Sequence, residues 1–553
     1  MTAILSEHLS LLINTPDGIR KLRSLILDLA MQGKLVQQNA EDEPASEILK
    51  RISSERARLE TEGTCRKTKP LPVLGDEERP HKLPPSWVWT RLGEVTNFGQ
   101  TDKNGEVTER TWVLDLEDIQ KDTSVLLKKV RFAERQAKSD KNRFRSGDVL
   151  YGKLRPYLNK VIVADEDGIC TTEVLPVRGF CGLVPRFLMH ALKRSDFLAY
   201  VNLKSYGMKM PRLGTEDGRL AVFPLPPEAE QRRIVAKVDE LMALCDRLEA
   251  EQTDAEAAHA KLIETLLDAL TQSTDAGDFA ANWQRLTEHF DTLFTTGSSI
   301  DALKQTILQL AVMGKLVPQD PHDEPSGELL KRIAQERARL EEEGIEKRAK
   351  PMPAVEEEEH LYDLPTGWKW GRFGAVATVI GNLVDSLDFP DSIQIAPDCI
   401  EKRTGRLIER RTVREAGVRG PNQRFKAGQL LYSKIRPSLS KAVLVDFDGL
   451  CSADMYPLNS FIAPRFLLLQ ILSETFLQQV RSAENRVKMP KLNQESLNAF
   501  LICVPPLAEQ HRIVAKVDEL TVLCDRLKAV LVESRARQEH LASNLIKSTL
   551  KAA

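Results

Sequence analysis

The chain has 553 residues, of which 29% are charged and 42% apolar, and its formal net charge is −2. This composition is typical of a globular protein with more than one domain. No apolar run approaches the roughly 20 residues that cross a bilayer, and the acidic first segment lacks the basic start of a secretory signal. Eight scattered cysteines without a CxxC pair are typical of a reducing compartment, so we expect a cytoplasmic protein.

The chain consists of two copies of one sequence. The segment 229–248 recurs at 508–527 with 17 of 20 identical, and 42–60 recurs at 323–341 with 14 of 19 identical. The copies differ in length by a small net insertion or deletion, which falls between these two anchors. We therefore predict a tandem repeat whose two copies meet in the polar stretch TQSTDAGDFAA.

Each copy is predicted to begin with helices and to continue into a globule. Apolar residues recur at helical spacing until Gly33 and Gly314, where the helix should end. A second helix should start after Pro44 and Pro325, because proline suits the first turn of a helix. Strand-like runs such as GDVLY and KVIVAD then alternate with the helical run PRFLMHALKRSDFLAYV, which predicts an α+β or α/β globule.

A long helix should close each copy after a Pro-Pro pair. It carries an apolar stripe with alternating spacings of four and three residues, which is the pattern of a coiled coil. The stripe consists of Ile234, Val238, Leu241, Cys245 and Leu248 in the first copy, and of Ile513, Val517, Leu520, Cys524 and Leu527 in the second. About 40 helical residues would reach roughly 60 Å, so two such helices could form a spacer between two globules.

The elements together predict a fold with two globules separated by long antiparallel coiled-coil helices, in a pseudo-twofold tandem repeat. The predicted segments are an N-terminal helical segment (1–82), a first globule (83–228), a central helical region (229–363), a second globule (364–507) and a C-terminal helix (508–553).

Charge is divided unevenly between globules and helices. Residues 84–228 carry a net charge of +4 and residues 364–507 a net charge of +6, which leaves −12 for the rest of the chain. Ordinary fluctuation is one explanation. The same sign in both copies, with five of the six tryptophans in these segments, favours binding of nucleic acid.

Two basic segments in each globule are candidates for contacts with nucleic acid. In the first, KLRPYLNK and its counterpart KIRPSLSK, polar side chains alternate with apolar ones around a proline, which suits a loop at a strand edge that offers cations to phosphates. The alternatives are an edge strand protected by lysine and proline, and for the second segment an exposed turn. The candidates in the first globule are Lys153, Arg155, Tyr157, Asn159, Lys160, Lys204, Tyr206, Lys209 and Arg212. Those in the second globule are Lys434, Arg436, Ser438, Lys441, Arg486, Lys488 and Lys491.

Residues that read bases would be expected where the copies differ most. These stretches are 97–112 and 380–411, and their candidates are Gln100, Asn104, Arg403, Arg406 and Arg410. The tryptophans in LPPSWVW and LPTGWKW are interpreted as core anchors rather than as base-stacking residues.

The sequence lacks the common motifs of a reaction centre. It contains no GxxxxGK[ST] phosphate loop, no GxGxxG, no HExxH and no Cys/His pair at zinc spacing. We therefore expect a non-catalytic binding protein without a metal or cofactor of its own.

These motifs resemble a known family. LPxxW at the start of each globule, the GKLV-containing helical segment, and the closing PPEAEQRRIVAKVDEL and PPLAEQHRIVAKVDEL are similar to the specificity (S) subunit of type I restriction–modification systems. The resemblance covers essentially the whole chain, twice over. It implies two target-recognition domains, each of which reads one half of a bipartite, asymmetric site in double-stranded DNA.

The resemblance also implies partners. The helices after Pro227 and Pro506, with the opening helices, would form the coiled-coil spacer and dock two methyltransferase (M) subunits, and restriction (R) subunits would join for cleavage. S-adenosylmethionine, ATP and Mg²⁺ would then belong to the partners. Two other classes stay open from the residues alone, namely a coiled-coil scaffold whose globules bind proteins and a DNA-binding regulator without M subunits.

Overall fold

The computed structural model describes residues 13, 15 and 17–552, apart from 64, 103–105, 137–140, 208, 345–351 and 484–489. The chain divides into two compact units. Unit 1 comprises Met1–Ala255 and Arg535–Ala553, and unit 2 comprises Glu256–Ser534. The units therefore differ from the two sequence copies, because unit 1 is completed by the last part of the second copy.

Unit 1 begins with two helices, continues into a mixed globule and ends in a long helix. Its helices are α1 (Gly18–Met31), α2 (Ala45–Thr61), α3 (Leu92–Val95), α4 (Pro185–Ala191), α5 (Ser195–Lys204), α6 (Thr215–Leu220) and the first part of α7 (Glu228–Gln272). Its strands are β1 (Val88–Arg91), β2 (Trp112–Leu114), β3 (Val130–Arg131), β4 (Lys141–Phe144), β5 (Val149–Gly152), β6 (Val161–Val163), β7 (Gly168–Thr171), β8 (Val174–Val177) and β9 (Val222–Leu225).

Unit 2 begins within α7 and has a similar series of elements, with additional helices and strands. Its further helices are α8 (Ala276–Glu288), α9 (Phe290–Leu293), α10 (Gly297–Val312), α11 (Ser326–Glu342), α12 (Phe373–Val376), α13 (Val413–Ala416), α14 (Pro464–Leu472), α15 (Glu474–Ala483), α16 (Gln494–Ala499) and the first part of α17 (Leu507–Ala552). Its strands are β10 (Lys369–Arg372), β11 (Ala377–Val379), β12 (Leu383–Asp385), β13 (Ile393–Ile395), β14 (Arg411–Thr412), β15 (Pro421–Phe425), β16 (Leu430–Ser433), β17 (Ala442–Leu444), β18 (Gly449–Ser452), β19 (Met455–Ser460) and β20 (Leu501–Val504).

The opening helices end and begin where the sequence predicts. Helix α1 ends at Met31, and Gly33 has a left-handed φ of 69°. A Cβ atom at Gly33 would lie 2.4 Å from Cγ of Pro84, so glycine is required here both by the backbone and by the close neighbour. Helix α2 begins directly after Pro44. The second copy has the same arrangement.

Each globule is closed by its first and last strands. β1 pairs antiparallel with β9, and β10 pairs antiparallel with β20. Between them, unit 1 has a sheet in the order β3-β2-β7-β4 and another in the order β6-β5-β8, and unit 2 has the orders β12-β15-β18-β13-β14 and β11-β19-β16-β17. Only β2/β7 and β13/β18 are parallel among the described strand pairs. The mixed sheets with flanking helices confirm the predicted fold class.

The apolar stripe of α7 is buried as expected. Ile234 and Val238 are completely buried in one hydrophobic core with α1 and the globule of unit 1. Helix α1 is bonded to α7, because Arg23 donates to Asp246 at 2.6 Å and to Glu249 at 2.9 Å. The stripe of α17 lies in the equivalent core of unit 2.

Both long helices cross from one unit to the other. The first part of α7 shares unit 1 with the end of α17, and the first part of α17 shares unit 2 with the end of α7.

A buried carboxylate ties each globule to its long helix. In unit 1, Trp87 Nε1 donates to Glu230 Oε2 at 2.9 Å, and Gln38 Nε2 donates to Glu230 Oε1 at 2.5 Å. The neighbouring Gln231 accepts from the amide of Val184 at 2.8 Å. The repeated AEQ triplet of the sequence is therefore a structural clamp, and Trp87 is a core anchor as predicted. Glu509, with Trp368 and Gln319, repeats the clamp in unit 2.

Candidate nucleic-acid interface

The first basic segment of unit 1 forms a tight turn after strand β5. A single 3₁₀ turn, Pro156–Leu158, lies at its centre. The residues on either side of this turn, Arg155 and Asn159, both have a left-handed φ of 50°. Left-handed backbone costs a residue other than glycine about 1 kcal/mol or more, so the surrounding structure must impose it.

The counterpart in unit 2 repeats this unusual backbone. The 3₁₀ turn Pro437–Leu439 is flanked by Arg436 with φ of 46° and Ser440 with φ of 45°. The same strained turn thus occurs in two globules whose sequences differ elsewhere. A strained backbone that is retained in this way is typical of a functional loop.

An arginine is presented at the same place in both turns. The side chains of Arg155 and Arg436 are exposed. Their backbone amides are fixed, since Arg155 N donates to Pro211 O at 2.7 Å and Arg436 N donates to Pro490 O at 2.9 Å. Within the described residues, no carboxylate pairs with either guanidinium group. Each arginine therefore offers its donors to a ligand from a rigid position.

The structure brings the second basic segment against the first. Leu154 pairs with Arg212 in unit 1, and Ile435 pairs with Lys491 in unit 2, as isolated β-bridges. The two segments are far apart in the sequence, yet a backbone bridge joins them in each globule.

An acidic residue fixes this junction in both copies. Glu173 accepts two bonds from Nε of Arg212, at 3.0 and 3.1 Å, and one from an Nη at 3.1 Å. Asp454, at the equivalent position, accepts from Lys491 at 3.0 Å. Hydrogen bonding to Glu173 raises the pKa of Arg212. Sequence analysis missed these two carboxylates, although aligning the copies on KLRPYLNK and KIRPSLSK would have paired them.

The predicted residues differ in how accessible they are. Exposed residues are Arg155, Tyr157, Lys204, Tyr206, Lys209, Arg436 and Lys491. Half-buried residues are Lys153, Asn159, Lys160, Arg212, Lys434, Ser438 and Lys441. Arg486 and Lys488 lie outside the described residues.

Two of the predicted lysines support the loop from inside. Nζ of Lys160 donates to the carbonyl oxygen of Leu116 at 2.7 Å, and Nζ of Lys441 donates to that of Pro397. Each lysine thus joins its basic turn to a neighbouring segment of the globule. Their predicted contact with phosphates stays a prediction, whereas this structural contact is present in both units.

The candidate base-reading residues, in the stretches that differ most between the copies, have different surroundings. Gln100 is bound to the connector, because it accepts from the amide of Arg66 at 3.0 Å and donates to its carbonyl at 3.1 Å. Its amide is therefore engaged in a tether rather than presented to bases. Arg406 is exposed and lies 3.9 Å from Asp525. Arg410 lies over a ring of its own globule, and Asn104 is outside the described residues.

A cavity of about 1060 Å³ lies beside the basic turn in unit 1. Tyr157, Asn159 and Lys193 are among its lining residues. Nζ of Lys193 donates to Oγ of Ser124 at 2.6 Å, and burial lowers the pKa of this lysine to about 8. The second copy has Leu472 at the position of Lys193, so this polar cavity lining belongs to the first copy.

Two other kinds of site are absent from the described residues. No helix there is both long and apolar enough to span a membrane. No group of three or more His, Cys, Asp or Glu side chains in the same part of the chain is arranged to hold a metal ion.

The comparisons with known proteins agree on one family. The model of the type I restriction modification DNA specificity domain matches residues 403–531. The specificity subunit of the type I restriction enzyme EcoAI from Escherichia coli is 35% identical, over 96% of this chain and 93% of that protein. The EcoEI specificity subunit from Escherichia coli is 34% identical, over 96% and 94%. The chain therefore belongs to the type I restriction enzyme specificity subunits, and the resemblance seen in its sequence is confirmed.

A solved structure shares the fold. A chain solved in work on complex assembly and conformational transition of the type I R-M system has a TM-score of 0.50, with 21% identity over 85% of this chain and 99% of that chain. By its family, the protein is a DNA specificity subunit of a type I restriction–modification system.

Proposed function

We propose that each globule reads one half of a bipartite, asymmetric DNA site, and that the chain directs two methyltransferase subunits, and restriction subunits for cleavage, to that site. The observation that carries this proposal is the repeated turn, in which Arg155 and Arg436 are exposed on matching strained backbone. The same turn in both globules, surrounded by residues that differ between them, suits two half-sites of different sequence.

The arginines and the neighbouring cations supply affinity through phosphates. Phosphate contacts position a protein on the duplex, while base contacts in the grooves specify the sequence. Residues 84–228 and 364–507 are net positive, and the helices carry the compensating negative charge, so the duplex is drawn to the globules.

The long helices set the distance between the half-sites and offer docking surfaces to the methyltransferase subunits. Near-identical segments, 229–248 and 508–527, would present equivalent surfaces to two copies of one partner. The chain itself is non-catalytic in this proposal. S-adenosylmethionine, ATP and Mg²⁺ act in the partner subunits, and the complex works in the cytoplasm.

The test is a selection experiment. The full chain, with its methyltransferase subunits, is used to enrich duplexes from a random library, which should yield a two-part motif. Arg155→Ala should then weaken binding of DNA by the turn in unit 1, and Arg436→Ala binding by the turn in unit 2. In each variant the slope of log affinity against log salt concentration should be reduced by about 0.9 per lost phosphate contact. Lys261→Ala, which removes an exposed cation from α7, is the matched control.

Two results would overturn the proposal. One is a selected motif without two separate parts. The other is an affinity for duplex DNA that does not depend on salt or on either arginine.

A further inference from the structure

The second basic segment of unit 1 contains an exposed apolar surface. We define the arm as residues 203–207 and 209–212. Leu203 is 82% exposed, Tyr206 is 62% exposed and Met210 is 45% exposed. A single exposed apolar side chain is ordinary, but three within eight positions, which we call the apolar patch, are an unusual concentration that suits contact with a ligand.

The arm is held rigidly although its apolar side chains are in water. Tyr206 N donates to Arg212 O at 3.1 Å, and Arg212 N donates to Tyr206 O at 2.9 Å, so the arm is closed like a hairpin. Gly207, with φ of 103°, permits the reversal of the chain. The bonds from Arg212 to Glu173 fix the base of the arm. A rigid arm loses little conformational freedom when it binds.

Cations accompany the apolar patch. Lys204 and Lys209 are exposed on the arm, and the arm is bonded directly to the turn that presents Arg155. The patch is therefore continuous with the candidate DNA interface and has the charge that complements phosphates.

A comparison of the two copies indicates whether the arm binds DNA or a protein. When the copies are aligned on KMPRL and KMPKL, the second copy has Ser482 where the arm has Leu203, and Asn485 where it has Tyr206. Two identical methyltransferase subunits would need the same docking face on both copies. Two different half-sites, by contrast, need different arms. The difference between the copies thus favours a role in reading DNA.

We propose that the arm of unit 1 inserts into its half-site, with Tyr206 against the face of a base and Leu203 and Met210 beside it. Apolar side chains inserted between base steps unstack and kink the duplex, and an aromatic ring recovers part of the lost stacking. The first half-site is then recognised partly through how easily it deforms. This inference rests on the proposed function, because it requires that unit 1 binds a half-site.

The experiment uses the full chain and its selected duplex, with 2-aminopurine placed at successive positions of both half-sites. Binding should raise the fluorescence at one step of the unit 1 half-site, because 2-aminopurine is bright when unstacked. Tyr206→Ala should abolish the signal and weaken binding roughly ten- to a hundredfold, the range of one lost base–aromatic stack. Tyr206→Phe should keep the signal, and Tyr206→Asn, which installs the second copy's residue, should lose it.

Controls separate this inference from the proposed function. Val73→Ala removes another exposed apolar side chain of unit 1 and should change neither signal nor affinity. Photocrosslinking of the unaltered chain to 5-iododeoxyuridine in the same half-site should label Tyr206, which tests the contact without a variant. Sequence-specific binding with no fluorescence change, and with full affinity in Tyr206→Ala, would overturn the inference and leave the proposed function intact. Loss of all specific binding by the unaltered chain would overturn both.

Discussion

Glu230→Ala should destabilise unit 1 by about 2–4 kcal/mol. The carboxylate is 1% exposed and accepts from Trp87 Nε1 and from Gln38 Nε2. Without it, the indole N–H and the amide each lose their partner in a buried or half-buried place, at about 1–3 kcal/mol each. The globule would also lose its tie to α7.

Urea unfolding followed by tryptophan fluorescence measures this loss. Trp87 in the clamp is one of the six tryptophans that contribute to the signal, and Glu509→Ala supplies the matched variant in unit 2, where Trp368 occupies the equivalent place. Glu230→Gln keeps an acceptor for Trp87 and removes the buried charge, so it should lose less than about 1.5 kcal/mol. Equal losses in Glu230→Ala and Glu230→Gln would refute the reasoning, because the charge rather than the hydrogen bonds would then matter.

The pH dependence of the clamp has a definite sign. Burial raises the pKa of Glu230 above its ordinary value, and the hydrogen bonds from Trp87 and Gln38 offset part of the rise. The folded state therefore holds this proton more tightly than the unfolded state. The contribution of this group to stability is full below the ordinary pKa of glutamate and is lost as pH rises through the raised value. The stability of the unaltered chain relative to Glu230→Gln should accordingly increase on acidification from pH 7 to pH 5.

Three further predictions concern other parts of the molecule. Gly33→Ala should lower the free energy of unfolding by about 1–3 kcal/mol, because the left-handed backbone is strained for alanine and the new Cβ meets Pro84. Gly63→Ala, with the same backbone but open space around the new Cβ, should lower it by only about 1 kcal/mol. Thermal unfolding compares the two variants. Lys193→Leu, the residue of the second copy at Leu472, should stabilise unit 1 at pH 7. Burial lowers the pKa of Lys193 to about 8, so its charge destabilises the folded state fully below pH 8 and less as the pH rises toward the ordinary pKa of lysine. The stability gained by Lys193→Leu should therefore shrink as the pH rises, and a gain that grows with pH would contradict this. Four residues inserted at the unit boundary of both long helices, about 6 Å of helix, should lengthen the spacer of the selected motif by one or two base pairs, while the half-sites stay the same.

Local features were predictable from the sequence. The helix ends at Gly33 and Gly314 follow from residue type alone, and the structure confirms both. The stripe that includes Ile234 and Val238 is buried as its spacing predicts. Periodicity and backbone preference act over a few residues, so a single sequence records them directly.

Long-range features were not predictable in the same way. The pairing of Leu154 with Arg212 joins two segments that the sequence presents as separate candidates. The role of Glu173 depends on that pairing, and so does the exposure of Tyr206. Such contacts are set by how the sheets and loops of the globule pack, which no local pattern encodes. The roles of the individual DNA-facing residues, and the domain boundaries, stay predictions.

Unit 1 is formed by two separate parts of the chain, and this has a consequence for biosynthesis. Residues 535–547 follow unit 2 in the chain, yet they belong with residues that precede it, and Ser543 and Ile546 line a cavity together with Ser24 of α1. Unit 2 can complete its contacts as soon as Ser534 has left the ribosome. Unit 1, although its globule is synthesised first, must wait for the end of the second long helix. The nascent chain thus carries an incomplete unit 1 throughout the synthesis of unit 2, and its uncovered apolar surface is where a chaperone would bind.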